Sequence, residues 1–293
     1  SNKKITGKVP AIVLCTVLCA VSVVYIMYII SQLAYITKAF AFLLPEDYTA
    51  AQFARSGFFQ MGVISFINFM LLGLSAIFVK RKDNGKLHNS VKALFIFICV
   101  FTIFYISTAF LKMMQYISLY GLTKLRILTS VFMLMLAVIF VVILLKLFIS
   151  KLKYIKTVLL VCTLTLLSVT VIDTNTVIAE YNYEHYKNGE INIDVEQIGS
   201  LGLSGIPTLI KLSEDENEEI ADLARTYIID ITRDQITPEA FVEEYKGKEL
   251  GMIKTSVFEK NYVYNTAEKE IKEYIKNNPD VSVDDMADEF FDL

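Results

Sequence analysis

The sequence predicts an all-α, polytopic membrane helix bundle of about five spans, followed by a small extracytoplasmic helical domain. Three observations predict it. The 293 residues are 54% hydrophobic with a mean hydropathy of +0.49, too apolar for a soluble chain of this length. The apolar residues gather into five runs before residue 173. The charge divides at the same place. Residues 1–173 hold 17 Lys and Arg against four acids (Glu46, Asp47, Asp83, Asp173), a net +13, while residues 174–293 hold 11 basic and 27 acidic residues, a net −16. A basic apolar half before an acidic polar half reads as a transmembrane domain, 1–173, and an acidic extramembrane domain, 174–293.

The chain opens Ser1-Asn2 with no initiator Met, which reads as a processed end or an artificial scar. Lys3, Lys4 and Lys8 precede the first span, residues 9–33. That run covers about 36 Å as a helix, enough to cross a bilayer with some tilt. It is too long for the apolar core of a signal peptide, and no small-residue cleavage site follows. Apolar character continues to Leu44, so the helix should extend into the interface. Pro45-Glu46-Asp47-Tyr48-Thr49 breaks it, with Asp47 or Thr49 able to cap the next helix. Ala50 to Gln60 carries Phe53, Phe58, Phe59 and Arg55, the pattern of a short amphipathic piece on the membrane surface. The remaining spans are placed at 61–79, 91–111, 127–149 and 157–172.

Lys and Arg set the orientation. They crowd the N-terminus, the 80–92 turn and the 146–156 turn, whereas the 45–60 and 112–126 connections are mixed. The positive-inside rule then puts the N-terminus in the cytoplasm, and five spans leave the C-terminal domain outside. The basic residues sit in short loops between apolar runs, so they are topology signals and not a nucleic-acid footprint.

The acidic domain reads as helices. Thr174–Tyr186 continues from Asp173, Asn188-Gly189 turns, and helices follow over Val195–Ser213, Glu218–Thr232, Thr237–Lys246, Asn265–Asn277 and Ser282–Phe291. Leu201, Leu203, Ile206, Leu209, Ile210 and Leu212 form one apolar face, and Ile220, Leu223, Tyr227, Ile228 and Ile231 another, the mark of an αα-hairpin. Roughly 110 residues can bury a small core.

The chemistry-bearing residues are few. Cys15, Cys19, Cys99 and Cys162 lie inside apolar runs, and His88 and His185 lie far apart and read as solvated loop residues. The sequence implies no disulfide framework, no metal site and no cofactor. Glu214–Glu219 lacks the alternating ligands and glycine of a calcium loop. No zinc-protease, nucleophile-elbow or phosphate-loop motif is present, which points away from an enzyme. Asn68 in the second span should bond a neighbouring helix, and Lys112 and Lys146 should snorkel. The predicted outer face gathers Arg55, Lys112, Tyr116, Tyr120, Lys124 and Arg126, a set able to hold an anion or a lipid headgroup. Glu46 and Asp47 are the predicted charge partners of Arg126 or Arg55, and Gly121 is expected to supply a positive φ in the Tyr120–Thr123 turn.

Three stretches carry a resemblance. They are Tyr48-Thr49-Ala50-Ala51-Gln52-Phe53-Ala54-Arg55-Ser56-Gly57-Phe58-Phe59-Gln60; Ser107-Thr108-Ala109-Phe110 through Tyr116 and Tyr120-Gly121-Leu122-Thr123-Lys124-Leu125-Arg126; and Ile178-Ala179-Glu180-Tyr181-Asn182. Together they resemble the bacterial integral membrane proteins grouped as domains of unknown function 4153 and 4173, over most of residues 20–212. The resemblance implies the cytoplasmic membrane of a bacterium, of Gram-positive type, and transfers no catalytic residue. Family members usually carry further spans upstream, so it also implies a truncated or short variant.

The expected function is that of a non-enzymatic sensor or scaffold whose outer domain binds a partner or envelope component. The alternative is a membrane enzyme or carrier acting on an anionic lipid headgroup at the outer leaflet. The expected partners are membrane lipids and either an envelope protein or a second copy of the chain.

Overall fold

The computed structural model describes residues 9–41, 43, 49–80, 87–149, 151–235 and 262–277. Glu46, Asp47 and Tyr48, most of the basic 80–86 turn, and the predicted helices 237–246 and 282–291 lie outside the described residues. The chain divides into two compact units, Ser1–Ile172 and Asp173–Leu293.

The first unit is five helices: α1 Ala11–Phe40, α2 Ala50–Phe78, α3 Asn89–Tyr120, α4 Lys124–Phe148 and α5 Tyr154–Val171. All five are long and apolar enough to cross a membrane. At 1.5 Å per residue, α3 with its 32 residues is about 48 Å long, well beyond the ~30 Å hydrocarbon layer. α3 is the central helix and packs against α1, α2 and α4, whereas α5 packs on α4 and has no buried residue.

One sequence expectation is corrected here. Residues 50–60 are not a separate surface piece but the first three turns of α2. Thr49 opens that helix with a reciprocal cap. Its hydroxyl accepts from Gln52 N at 3.3 Å, and Gln52 Oε1 accepts from Thr49 N at 3.2 Å. Phe53, Ala54 and Gly57 are buried on the face that carries Met61, Ser65 and Asn68, so one stripe runs the length of the helix.

Inside the bundle, polar groups join the helices. Asn68 Nδ2 donates to Thr102 Oγ1 at 2.8 Å, and the Tyr25 hydroxyl donates to Asn68 Oδ1. One layer away, the Tyr28 and Tyr105 hydroxyls meet at 2.5 Å, and Gln60 Oε1 lies within hydrogen-bond distance of both, at 3.1 and 3.0 Å, so the two protons are shared among the three oxygens. Tyr25 stacks on Phe101 with centroids 4.2 Å apart. These contacts tie α1, α2 and α3 together in an environment where apolar packing alone gives little drive for association.

The described ends of the basic connections are tied to one another in pairs. Val9 N donates to Phe78 O at 3.0 Å and Lys80 N to Val9 O at 2.9 Å, which ties the entry to α1 to the exit of α2. The Lys92 ammonium lies 4.6 Å from the Phe148 ring centroid, joining the start of α3 to the end of α4. Lys146 Nζ donates to Leu152 O at 2.8 Å across the turn after α4.

The second unit comprises α6 Thr174–Lys187, α7 Val195–Gly199, a 3₁₀ turn Gly202–Gly205, α8 Ile206–Leu212, α9 Glu218–Gln235 and α10 Tyr262–Asn277. Its core is apolar and closed, built from Ala179, Val195, Ile198, Ile206, Leu209, Leu212, Ala224, Ile228, Ile231, Ala267, Ile271 and Tyr274. The single helix expected over 195–213 is in fact three pieces. Gly202 sits at φ 64°, and Pro207 lies in the first turn of α8, so the backbone breaks before both. α8 and α9 pair as the expected hairpin. Arg225 holds that hairpin, donating to Ser213 O at 3.0 Å and to Asp222 Oδ1 at 2.8 Å. Asp215 Oδ1 accepts from Asn217 N, and Asn217 Oδ1 from Glu219 N, so the acidic turn folds on its own side chains.

Asp173 caps α6. Its carboxylate accepts from Asn175 N, Thr176 N, Thr176 Oγ1 at 2.7 Å and Ser204 Oγ at 3.1 Å. Burial pushes this carboxyl up, but the four hydrogen bonds outweigh it and hold the group below the ordinary carboxylate range. His185 is helical, not a loop residue, and pairs with Glu190.

Candidate functional site

The stretch that links α3 to α4 is dense in basic and aromatic groups, and its geometry follows from helix ends. A helix leaves its last four carbonyls without partners. α3 stops at Tyr120 because Gly121 takes φ 73°, as expected for this turn. The Thr123 hydroxyl then accepts from Arg126 N and caps α4. This geometry points the Arg126 guanidinium back at the end of α3. Nη1 donates to Tyr120 O at 2.7 Å and to Gly121 O at 2.5 Å. The guanidinium also lies 4.0 Å from the centroid of the Tyr116 ring, which itself leans on Tyr120. Carbonyls at a helix C-terminus carry partial negative charge, so Arg126 neutralises the end of its own neighbouring helix.

Lys112 sits two turns below Tyr120 on α3. It is 7% exposed. Its stem passes so close to Gly57 that a Cβ added there would stand 2.8 Å from Lys112 Cδ, and its ammonium lies 4.3 Å from the Phe53 centroid. Gly57 also faces Ala109, whose Cα would be 3.8 Å from that Cβ. Small residues at both positions let α2 and α3 approach closely. The two sequence motifs therefore meet through Gly57, Ala109 and Lys112. In the same region Phe58 packs on Phe132 of α4, with centroids 6.1 Å apart.

The structure thus brings Tyr116, Tyr120 and Arg126 together and sets Lys112 below them on the same helix. It does not bring Arg55 or Lys124 to that cluster. Both are exposed, Arg55 off the buried stripe of α2 and Lys124 on the first residue of α4. Glu46 and Asp47, the predicted partners, fall outside the described residues. Sequence reasoning did not single out Gln115, which is 4% exposed with its Oε1 unbonded, nor the Tyr25, Tyr28, Gln60 and Tyr105 layers. The available signal was tyrosines one turn apart inside an apolar run. All four cysteines are free thiols.

These features define a multi-pass membrane protein whose bundle is centred on one long helix. The chain belongs to the family described as Domain of unknown function (DUF4153), whose model matches residues 1–212. No curated protein and no solved structure matches the chain.

Proposed function

We propose that the protein is a non-enzymatic membrane scaffold or sensor. The bundle anchors it in the cytoplasmic membrane with the N-terminus inside, and the acidic helical unit works on the outer face by binding a partner or envelope component. The observation that carries this reading is the state of Arg126. The cation best suited by sequence to grip a ligand is committed to the carbonyls that end α3 and to the Tyr116 ring. The orientation draws support from the lysines at paired helix ends, Lys80 bonded to Val9 and Lys92 set on Phe148.

Photo-crosslinking in whole cells tests it. A benzoylphenylalanine at Leu223, 41% exposed on α9, is expected to give a discrete protein adduct, and one at Leu164 on lipid-exposed α5 is not. No adduct from Leu223 or from the exposed Glu219 would contradict the reading. The second reading, an enzyme or carrier acting on an anionic lipid at the outer leaflet, draws on the buried Lys112.

A further inference from the structure

Lys112 and Arg126 look alike in sequence but differ in the structure. Arg126 has two carbonyl acceptors and a ring. Lys112 has the Phe53 ring alone, and among the described residues neither a carboxylate nor a hydrogen-bond acceptor lies on its ammonium. A buried ammonium without a counter-charge is costly, and inside a membrane such a residue usually marks a binding site. Gln115 follows three residues later, on the same side of α3. It is also more than nine-tenths buried, and its Oε1 accepts no hydrogen bond. Among the described residues, an ammonium with no acceptor and a buried amide oxygen with no donor therefore stand one turn apart. The match for that pair is a ligand that carries a negative charge and a hydroxyl close together.

Depth narrows the chemistry. Lys112 lies eight residues before the end of α3, about 12 Å along the axis. A ~30 Å hydrocarbon layer centred on this helix would end about 9 Å short of each terminus. Lys112 then sits about 3 Å inside the boundary. Its stem crosses Gly57 and its ammonium reaches Phe53, one turn nearer the start of α2, so the side chain climbs toward the headgroups.

We propose that Lys112 and Gln115 form a binding site for a phosphate anion that bears a neighbouring hydroxyl, with Lys112 donating to the phosphate and Gln115 Oε1 accepting from the hydroxyl. Two sources share that chemistry: the glycerophosphate headgroup of a lipid, and inorganic phosphate. The site is independent of the partner-binding role of the outer unit, so either can fail without the other.

The test uses the full chain in nanodiscs of phosphatidylcholine alone, with added phosphatidylglycerol, or with added phosphatidylmethanol, which keeps the charge and lacks the hydroxyls. Lipid retention is read by native mass spectrometry and Tm by thermal unfolding. Phosphatidylglycerol is expected to raise Tm and to be retained over phosphatidylcholine, and Lys112→Met to weaken that retention about tenfold or more. Gln115→Leu is expected to remove the preference for phosphatidylglycerol over phosphatidylmethanol and to leave the preference for charge. A Tm rise with millimolar inorganic phosphate in pure phosphatidylcholine, lost in Lys112→Met, would assign the site to free phosphate. Arg126→Lys, outside the proposed site, is expected to retain lipid as the parent does. Retention unchanged in a folded Lys112→Met variant would overturn the proposal. So would a parent protein indifferent to phosphatidylglycerol and to inorganic phosphate.

Discussion

The two units solve the same packing problem with opposite distributions of polarity. In the bundle, polar side chains sit between helices, as Asn68, Thr102, Gln60 and Tyr105 do, and apolar ones such as Met27, Phe66, Leu74 and Leu166 face outward. In the second unit Ile198, Ile206, Leu209 and Ile228 fill the interior, and acidic residues such as Glu214, Glu216 and Glu219 are exposed. The solvent explains the difference. Lipid gives no hydrophobic reward for bringing two apolar helices together, so a few hydrogen bonds and close glycine contacts set the register. Water does give that reward, and burial dominates. A truncation should therefore hurt most in the second unit and least on the lipid-facing side of the first.

The largest expected loss is at Leu209, fully buried in the second unit's core. Leu209→Ala should cost about 2–5 kcal/mol, read as a drop in the melting of that unit's helical signal. Next comes Arg126→Ala, which removes two charge-assisted bonds and a cation–π contact, about 1–3 kcal/mol. Arg126→Lys should recover only part of it, because an ammonium can donate to both carbonyls but has no planar face to lay on the Tyr116 ring. A double-mutant cycle with Glu46→Gln should be additive if the α3 carbonyls are the partners of Arg126, and strongly coupled if the acid is.

Asn68→Leu should cost about 0.5–2 kcal/mol, the range of hydrogen bonds between membrane helices. At Asp173 the effect depends on pH. Its folded-state pKa is depressed, so its contribution is complete above the ordinary carboxylate value of 3.8 and is lost as pH falls through the folded value. Asp173→Asn keeps a capping oxygen but loses the charge at the start of α6 and the acceptor for Thr176 and Ser204, so it should cost about 0.3–1 kcal/mol at neutral pH, read as a lower Tm, and should flatten the acid limb of the Tm–pH curve. The smallest effect belongs to Leu160→Ala on α5, exposed and facing lipid, expected within about 0.5 kcal/mol. A loss above 2 kcal/mol there would mean that α5 packs against something and would break the contrast.

Much of this architecture was legible in the sequence because its signals are local. Five apolar runs with Pro, Gly and Lys breaks place five helices, and Gly121 marks the α3–α4 turn. Asn68 could be recognised as an interhelical bonder because an amide in an apolar run has few other options. The illegible parts depend on partners far away in the chain. Phe53 and Phe58 beside Arg55 look like a surface helix until Gly57 is seen to admit Lys112, which makes residues 50–60 part of the α2–α3 contact. The difference between Arg126 and Lys112 was invisible for the same reason: both are cations near a span end, and only the fold shows which one has acceptors. In the second unit, the run 195–213 has helical periodicity throughout, and the break at Gly202 and Pro207 is decided by how α7 and α8 share one core.

The most direct test of the account is which side of the membrane each unit connects to. The labelling site is Glu216, exposed in the turn before α9, with Lys151 in the connection after α4 as its opposite. Each is replaced by cysteine in the full chain and treated with a membrane-impermeant thiol reagent. The account predicts that Glu216→Cys reacts in intact cells and Lys151→Cys only after permeabilisation. Labelling of Lys151→Cys in intact cells, with Glu216→Cys protected, would contradict it.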